Sequence, residues 1–205
     1  MLSVKYDVFG SLENNCYLIT DTATGKSALV DCTEDSLKMM SFIENSNLEY
    51  ILLTHGHYDH IGGVKAVKEK TGAKVVISAE DEKMLSSSRH SLAAFCGGVQ
   101  NNTDADIIIS DGDVINLGES EIKVLATPGH TKGGVCYICD GKIFCGDTLF
   151  QCSCGRTDFP GGSVSEMLLS LKKIASLDGD LTVYPGHESF STLDFERKNN
   201  PYMNR

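Results

Sequence analysis

The sequence predicts an α/β protein: two β-sheets with helices on their outer sides. Three observations carry this. Apolar runs of strand length recur along all 205 residues, strands are followed by helical patterns in both halves, and no Gly-, Pro- or Ser-rich linker separates the halves. Two sheets with outer helices fit this order better than one continuous parallel sheet.

The elements follow in order. Apolar runs at residues 2–9, 16–20 and 27–31 read as strands. Thr33, Glu34 and Asp35 then open a helical pattern through Leu37, Met40 and Phe42. A strand at 50–53 leads into a helix from about 59 to 70, which Thr71 and Gly72 end. Residues 74–78 form a strand and 79–87 a short helix, while 88–103 mixes a small apolar patch with Gly and Asn, as a helix plus a loop over a site would. Further strands fall near 106–109, 114–117, 122–126, 134–139 and 142–145. Ser163 and Glu166 make a capping box before a helix over 167–176. A strand at 181–184 and a final helix, capped within 191–194 and stopped before Pro201, complete the chain.

Composition bounds the function. With 41% hydrophobic and 22% charged residues, the chain reads as one soluble globular domain spanning 1–205. A net charge of −10 argues against nucleic acid, whose phosphates call for a basic surface. No apolar run approaches the roughly 20 residues of a membrane span, and the N-terminus lacks a secretory pattern, so a cytoplasmic location is expected. The eight cysteines then read as reduced, mostly buried thiols. Cys136 and Cys139 form a CxxC on a strand, where positions three apart face opposite sides and do not converge on a metal.

Four strands end alike. The strand at 50–53 runs into His55, His57, Asp59 and His60; that at 122–126 into Pro128, Gly129 and His130. The strand at 142–145 runs into Gly146 and Asp147, and that at 181–184 into Pro185, Gly186 and His187. Five of the six histidines sit in these loops, leaving only His90, which reads as a structural residue. Binding residues concentrate on loops held by a rigid scaffold, and His/Asp donors at converging strand ends are metal ligands.

On the HxHxDH stretch 55–60, Pro128-Gly129-His130, Gly146-Asp147 and Pro185-Gly186-His187, with Asp31 ahead of them, the chain resembles the metallo-β-lactamase superfamily. The resemblance implies a four-layer αβ/βα sandwich with the site at one edge. It implies that His55, His57 and His130 hold one metal, that Asp59, His60 and His187 hold a second, and that Asp147 bridges them. Asp31 is then expected to orient a ligand from behind. The donors are all nitrogen and oxygen, so two divalent transition-metal ions are expected, zinc foremost, with iron or manganese also compatible.

Two dications less the charges of Asp59, Asp147 and a bridging hydroxide leave a core near +1. This suits attack of that hydroxide on a carbonyl, with Asp59 and Asp147 as the catalytic carboxylates. The stretch CGDTLFQCSCGRTDFPGG resembles the glyoxalase II-like branch, hydrolases of thioesters such as S-acylglutathione. A thiolate leaving group needs little protonation. Only eighteen residues, 188–205, follow His187, so the C-terminal helical domain that helps bind glutathione in full-length glyoxalase II is expected to be absent, and the small-molecule thioester stays unspecified. β-Lactamases of the best-known subclass resemble the chain less, because they carry a cysteine where Asp147 stands. The alternative is a mono-iron persulfide dioxygenase, whose GCGRTDF-like segment is matched by Ser153–Phe159 and which would use His55, His130 and Asp147. Arg156 is a candidate for a substrate carboxylate and Asp158 for bracing a metal ligand, against the plainer reading of an Arg156–Asp158 ion pair. Tyr58 is expected at the rim.

Overall fold

Residues 1–203 are described by the computed structural model, beginning with an antiparallel meander of β1 (Leu2–Phe9), β2 (Asn14–Asp21) and β3 (Lys26–Val30). The chain then crosses over through α1 (Leu37–Phe42) to β4 (Asn47–Leu52), parallel to β3. Helices α2 (Tyr58–Ile61) and α3 (Val64–Thr71) lead to β5 (Lys74–Ser78). A 3-10 turn (Glu82–Ser86) and α4 (Ala93–Cys96) lead to β6 (Ile107–Ile109), so the first sheet runs β1-β2-β3-β4-β5-β6.

The second sheet starts with four antiparallel neighbours: β7 (Val114–Leu117), β8 (Ser120–Ala126), β9 (Val135–Cys139) and β10 (Lys142–Gly146). A small ribbon of β11 (Leu149–Phe150) and β12 (Ser153–Cys154) precedes α5 (Val164–Ala175). Then β13 (Thr182–Pro185) joins parallel to β10, and β14 (Ser191–Thr192) and α6 (Leu193–Asn199) follow.

Strand alternation builds the layers. Tyr17, Ile19, Val30 and Leu52 of the first sheet meet Val124, Tyr137 and Phe144 of the second in a central core. Their sequence neighbours Cys16, Leu18, Leu29 and Ile51 face the other way, onto Met39 and Phe42 of α1 and Val64 and Val67 of α3. On the far side Cys136, Ile143 and Val183 pack against Met167, Leu171 and Ile174 of α5. The result is the expected helix–sheet–sheet–helix sandwich. Cys136 and Cys139 do fall on opposite faces, in different cores.

Two expectations are corrected. The single helix over 59–70 is two, because Gly62 and Gly63 lie against the chain at Thr33 and Glu34. A Cβ would stand 2.4 Å from Thr33 O at Gly62 and 2.3 Å from Glu34 O at Gly63, so two loops pass at backbone contact and the helix axis breaks. The helix over 79–87 is only a 3-10 turn. The last helix is capped within 191–194, as expected: Thr192 is its N-cap, its side chain accepting from Phe195 N, and the helix ends at Asn199, before Pro201. The Ser163 cap stands as expected, accepting from Glu166 N, with α5 beginning at Val164.

The two sheets are locked together at one edge. Tyr137 Oη donates to Leu53 O at 2.8 Å, and Val135 N donates to Thr54 O at 2.9 Å. Asn15 Nδ2 donates to Pro185 O and Glu188 O at 3.1 and 3.0 Å. These bonds set the loop after β4 beside the loop after β13. Among the described residues, no helix is long and apolar enough to cross a membrane.

Candidate metal centre

The loops after β4, β8, β10 and β13 meet at that locked edge. Donor atoms of His55, His57 and His130 lie within 4.8 Å of one another, as do those of Asp59, His60 and His187. These are the two trios expected. His55, His60 and Asp147 form a third overlapping group between them. Asp147 spans the trios: Oδ1 stands 3.4 Å from His60 Nε2, and Oδ2 stands 3.5 Å from His130 Nε2 and 3.6 Å from His187 Nε2.

Each imidazole is aimed by what holds its back. His130 Nδ1 contacts the Arg156 carbonyl at 2.7 Å, and His187 Nδ1 the Leu12 carbonyl at 2.9 Å. A carbonyl only accepts, so both rings carry the proton on Nδ1 and present an Nε2 lone pair to the centre. His60 Nδ1 lies 2.8 Å from Asp31 Oδ2, and the same carboxylate accepts from Thr54 N and Thr54 Oγ1, each at 2.8 Å. Asp31 thus holds the Nδ1 side of His60, and does so from a left-handed backbone at φ 57°.

Whether these residues fit metal ions is tested by their unmet valence. Buried polar atoms nearly always have a partner. His55 Nε2, His57 Nε2 and Asp147 Oδ1 are buried and have none. His57 Nδ1 and His130 Nε2 approach to 2.8 Å, and Gly186 leaves the space, since a Cβ there would stand 2.4 Å from Asp147 Oδ1. Three orphaned ligand atoms in one buried nitrogen/oxygen cluster fit divalent ions.

For His55 and His57 the electrostatics agree with that use. Burial, followed by its imidazole neighbours, holds His55 well below the usual histidine range, and burial with His130 brings His57 down to about 3. Neutral imidazole is the ligating form. Burial also opposes charge on His60, but Asp147, Asp31 and Asp59 outweigh it and hold His60 up. Conversely, burial would raise Asp59 and Asp147, yet His60 and the other imidazoles hold both well below the carboxylate range.

Other expectations divide. His90 bonds locally to Ser87 Oγ at 2.7 Å and belongs to neither trio. Tyr58 sits at the rim, its N–H donating to Ser91 O at 2.9 Å and its ring beneath Gly98, so the 88–103 segment does lie over the site. Asp158 is corrected: it braces no ligand. Its two oxygens take a fork of 2.7 Å bonds from Arg156, exposed at the surface, because a partner two residues away competes better than a buried ring. Arg156 lies over the Phe159 ring at 3.9 Å, and Phe159 packs 6.0 Å from His57. The plainer ion-pair reading describes this couple.

Two buried residues escaped the sequence reading. Asn14 Nδ2 lies 2.9 Å from His60 Nε2 and 3.3 Å from Asp59 Oδ2. Asp81 accepts from Gly56 N at 3.1 Å, Thr131 Oγ1 at 2.7 Å and Gly133 N at 2.9 Å, tying the loop after β4 to the loop after β8. Only the oddity of Asn14-Asn15 inside an apolar strand hinted at the first; nothing marked Asp81.

A two-sheet sandwich with His and Asp donors from four strand ends at one edge defines a metal-dependent enzyme class. The chain belongs to the metallo-beta-lactamase superfamily, whose family model matches residues 10–187. It is 33% identical over 203 residues to the hydroxyacylglutathione hydrolase GloC of Haemophilus influenzae, covering 95% of this chain and 94% of that one. Among solved structures, the BLEG-1 B3 metallo-beta-lactamase superposes with a TM-score of 0.93 at 28% identity, covering 99% of this chain and 100% of that one. ETHE1 from Myxococcus xanthus superposes with a TM-score of 0.81 at 28% identity, covering 99% of this chain and 85% of that one.

Proposed function

We propose that the protein is a two-metal hydrolase of thioesters, of the glyoxalase II-like kind. The observation that carries this reading is His60. It is fully buried, held by Asp31 through Nδ1, and turned so that Nε2 faces Asp147, Asp59 and His187. A mono-iron centre on His55, His130 and Asp147 would leave His60, with Asp59 and His187, outside the ligand set. The 33% identity to a hydroxyacylglutathione hydrolase along nearly the whole chain supports the same reading.

Divalent ions at the two trios supply Lewis acidity and lower the pKa of water toward ~7. His55, His57 and His130 would hold one ion and Asp59, His60 and His187 the other, with Asp147 lying between the two trios. The reaction consumes one water: a C–O bond forms at the acyl carbon, the C–S bond breaks, and the sulfur leaves as thiolate. No general acid is required, because a thiol pKa near ~8.5 makes thiolate a competent leaving group.

The test gives metal-loaded protein an S-acylglutathione, glutathione persulfide and a β-lactam in parallel, recording thiol release, oxygen uptake and ring opening. Thiol release with about two metal ions per chain is expected. Oxygen uptake with the persulfide and no thiol release would overturn the reading in favour of a persulfide dioxygenase. Ring opening alone would make the chain a β-lactamase. His60→Ala should abolish thioester hydrolysis, whereas a mono-iron enzyme would keep substantial activity.

A further inference from the structure

Beside the Asp59–His60–His187 trio lies a cavity of about 410 Å³, open to solvent and walled on one side by Asp59, Tyr58 and Asn14. Its remaining walls are the 10–12 turn, residues 33–35 and the loop at 98–101. The chemistry of the lining is one-sided. Glu34 and Asp35 bring two carboxylates beyond Asp59, which the two-metal reading gives to an ion, and no Lys, Arg or His lines the cavity. Neither Glu34 nor Asp35 takes part in any of the ion pairs or side-chain hydrogen bonds recorded among the described residues. Asn14, fully buried, adds a third kind of evidence: its Nδ2 is spent on His60 and Asp59, while its Oδ1 has no partner.

The wall therefore offers anionic acceptors without a cationic donor, the side-chain donors of Ser11, Thr33, Tyr58 and Asn101 being neutral. An unsatisfied buried carbonyl oxygen and two unpaired carboxylates are stabilised by one chemistry, a cationic N–H donor. Glutathione fits poorly: it carries two carboxylates, and its only ammonium shares a carbon with one of them. Like charges brought together in the cavity repel.

We propose that this cavity selects thioesters bearing an isolated protonated amine and selects against glutathione thioesters, with Glu34, Asp35 and the Asn14 Oδ1 as the recognising groups. The inference rests on the thioester hydrolase reading above and names its substrate class.

Three acetyl thioesters separate the alternatives: S-acetyl-N,N-dimethylcysteamine (cationic, and unable to pass its acyl group to nitrogen), S-acetyl-N-acetylcysteamine (neutral) and S-acetylglutathione (anionic). With full-length, metal-loaded protein, kcat/KM for the cationic ester should exceed that of the neutral one by about tenfold and that of the glutathione ester by more, with the preference shrinking as salt screens it. In Glu34→Gln/Asp35→Asn, a near-isosteric change of exposed or half-buried groups, the cationic-to-neutral ratio should fall toward one. Glu34→Lys should invert it. Calorimetric titration with the thioether S-propyl-N,N-dimethylcysteamine, set against S-propylglutathione, reads the same selectivity without turnover. Equal kcat/KM for cationic and neutral esters, or a glutathione preference that the variants leave intact, overturns the proposal while leaving the hydrolase reading in place. Failure to release thiol from any ester sinks the hydrolase reading, and this substrate assignment with it.

Discussion

Asp31 and His60 are joined at 2.8 Å between Oδ2 and Nδ1, both side chains out of solvent, on segments brought together by the contact of Gly62 and Gly63 with the 33–34 loop. The carboxylate also holds Thr54 through two bonds of 2.8 Å. It is one anion fixing both the entry to the ligand stretch and its last histidine.

Replacing Asp31 with Asn removes that double capacity, since the amide has one acceptor oxygen in place of two. Metal content should fall from about two ions per chain toward one, with activity down about 10–100-fold, as is typical when the group behind a metal-bound histidine is changed. Metal analysis beside thioester kinetics checks this; a full metal complement with unchanged kcat/KM would show that His60 needs no such support.

Asp81 makes a contrasting prediction for the other trio. In Asp81→Asn, the three donors from Gly56, Thr131 and Gly133 meet a group that also donates, leaving at least one unsatisfied. Stability should drop by about 1–3 kcal/mol in denaturant titrations. The ion held by His55, His57 and His130 should be lost to a chelator before the other. Equal loss of both ions would show that the two loops are coupled by something other than Asp81.

Gly186→Ala tests the close packing behind Asp147. The added methyl would stand 2.4 Å from Asp147 Oδ1 and 2.9 Å from His60 Cε1, so one of them must move. A displacement near 1 Å in a positioned site costs about 100-fold in rate. Circular dichroism should be unchanged while kcat falls by that order; a variant of normal activity would mean that neither group needs its present place.

The cysteines should split by reactivity. Burial pushes the Cys16 and Cys139 thiols up to about 12, and Cys32, Cys136 and Cys145 are likewise buried. Thiolate is the reactive form, so an alkylating reagent should label Cys96 and Cys152, the exposed pair, well before these five. Peptide mass spectrometry under native conditions reads the order, and early labelling of Cys16 or Cys139 would contradict the packing.

Much of the site was legible because its signal is local. Each candidate ligand follows a short apolar strand and a Gly or Pro turn, and strand alternation alone set Cys136 and Cys139 on opposite faces. The break at Gly62 and Gly63 was not legible, since helical periodicity runs on through it and only the backbone at 33–34 forbids the continuous helix. Asn14 and Asp81 were hidden for a related reason: their partners lie 45 and 46 residues away for Asn14, and 25, 50 and 52 for Asp81. Asp158 failed in the opposite way. Its nearest cation, two residues off, took both oxygens before any ring in the centre could.

By itself, then, the sequence determined which side chains can bind metal and which faces of the strands are buried, because both are set by residue type and a period of two. Tertiary structure decided which donors lie within reach of one another, which carboxylate stands behind which histidine, and that an acidic cavity opens beside Asp59. Those depend on loops distant in the chain meeting at one sheet edge, and hydrogen bonds between the sheets, such as Tyr137 to Leu53 and Asn15 to Pro185, fix where that edge lies.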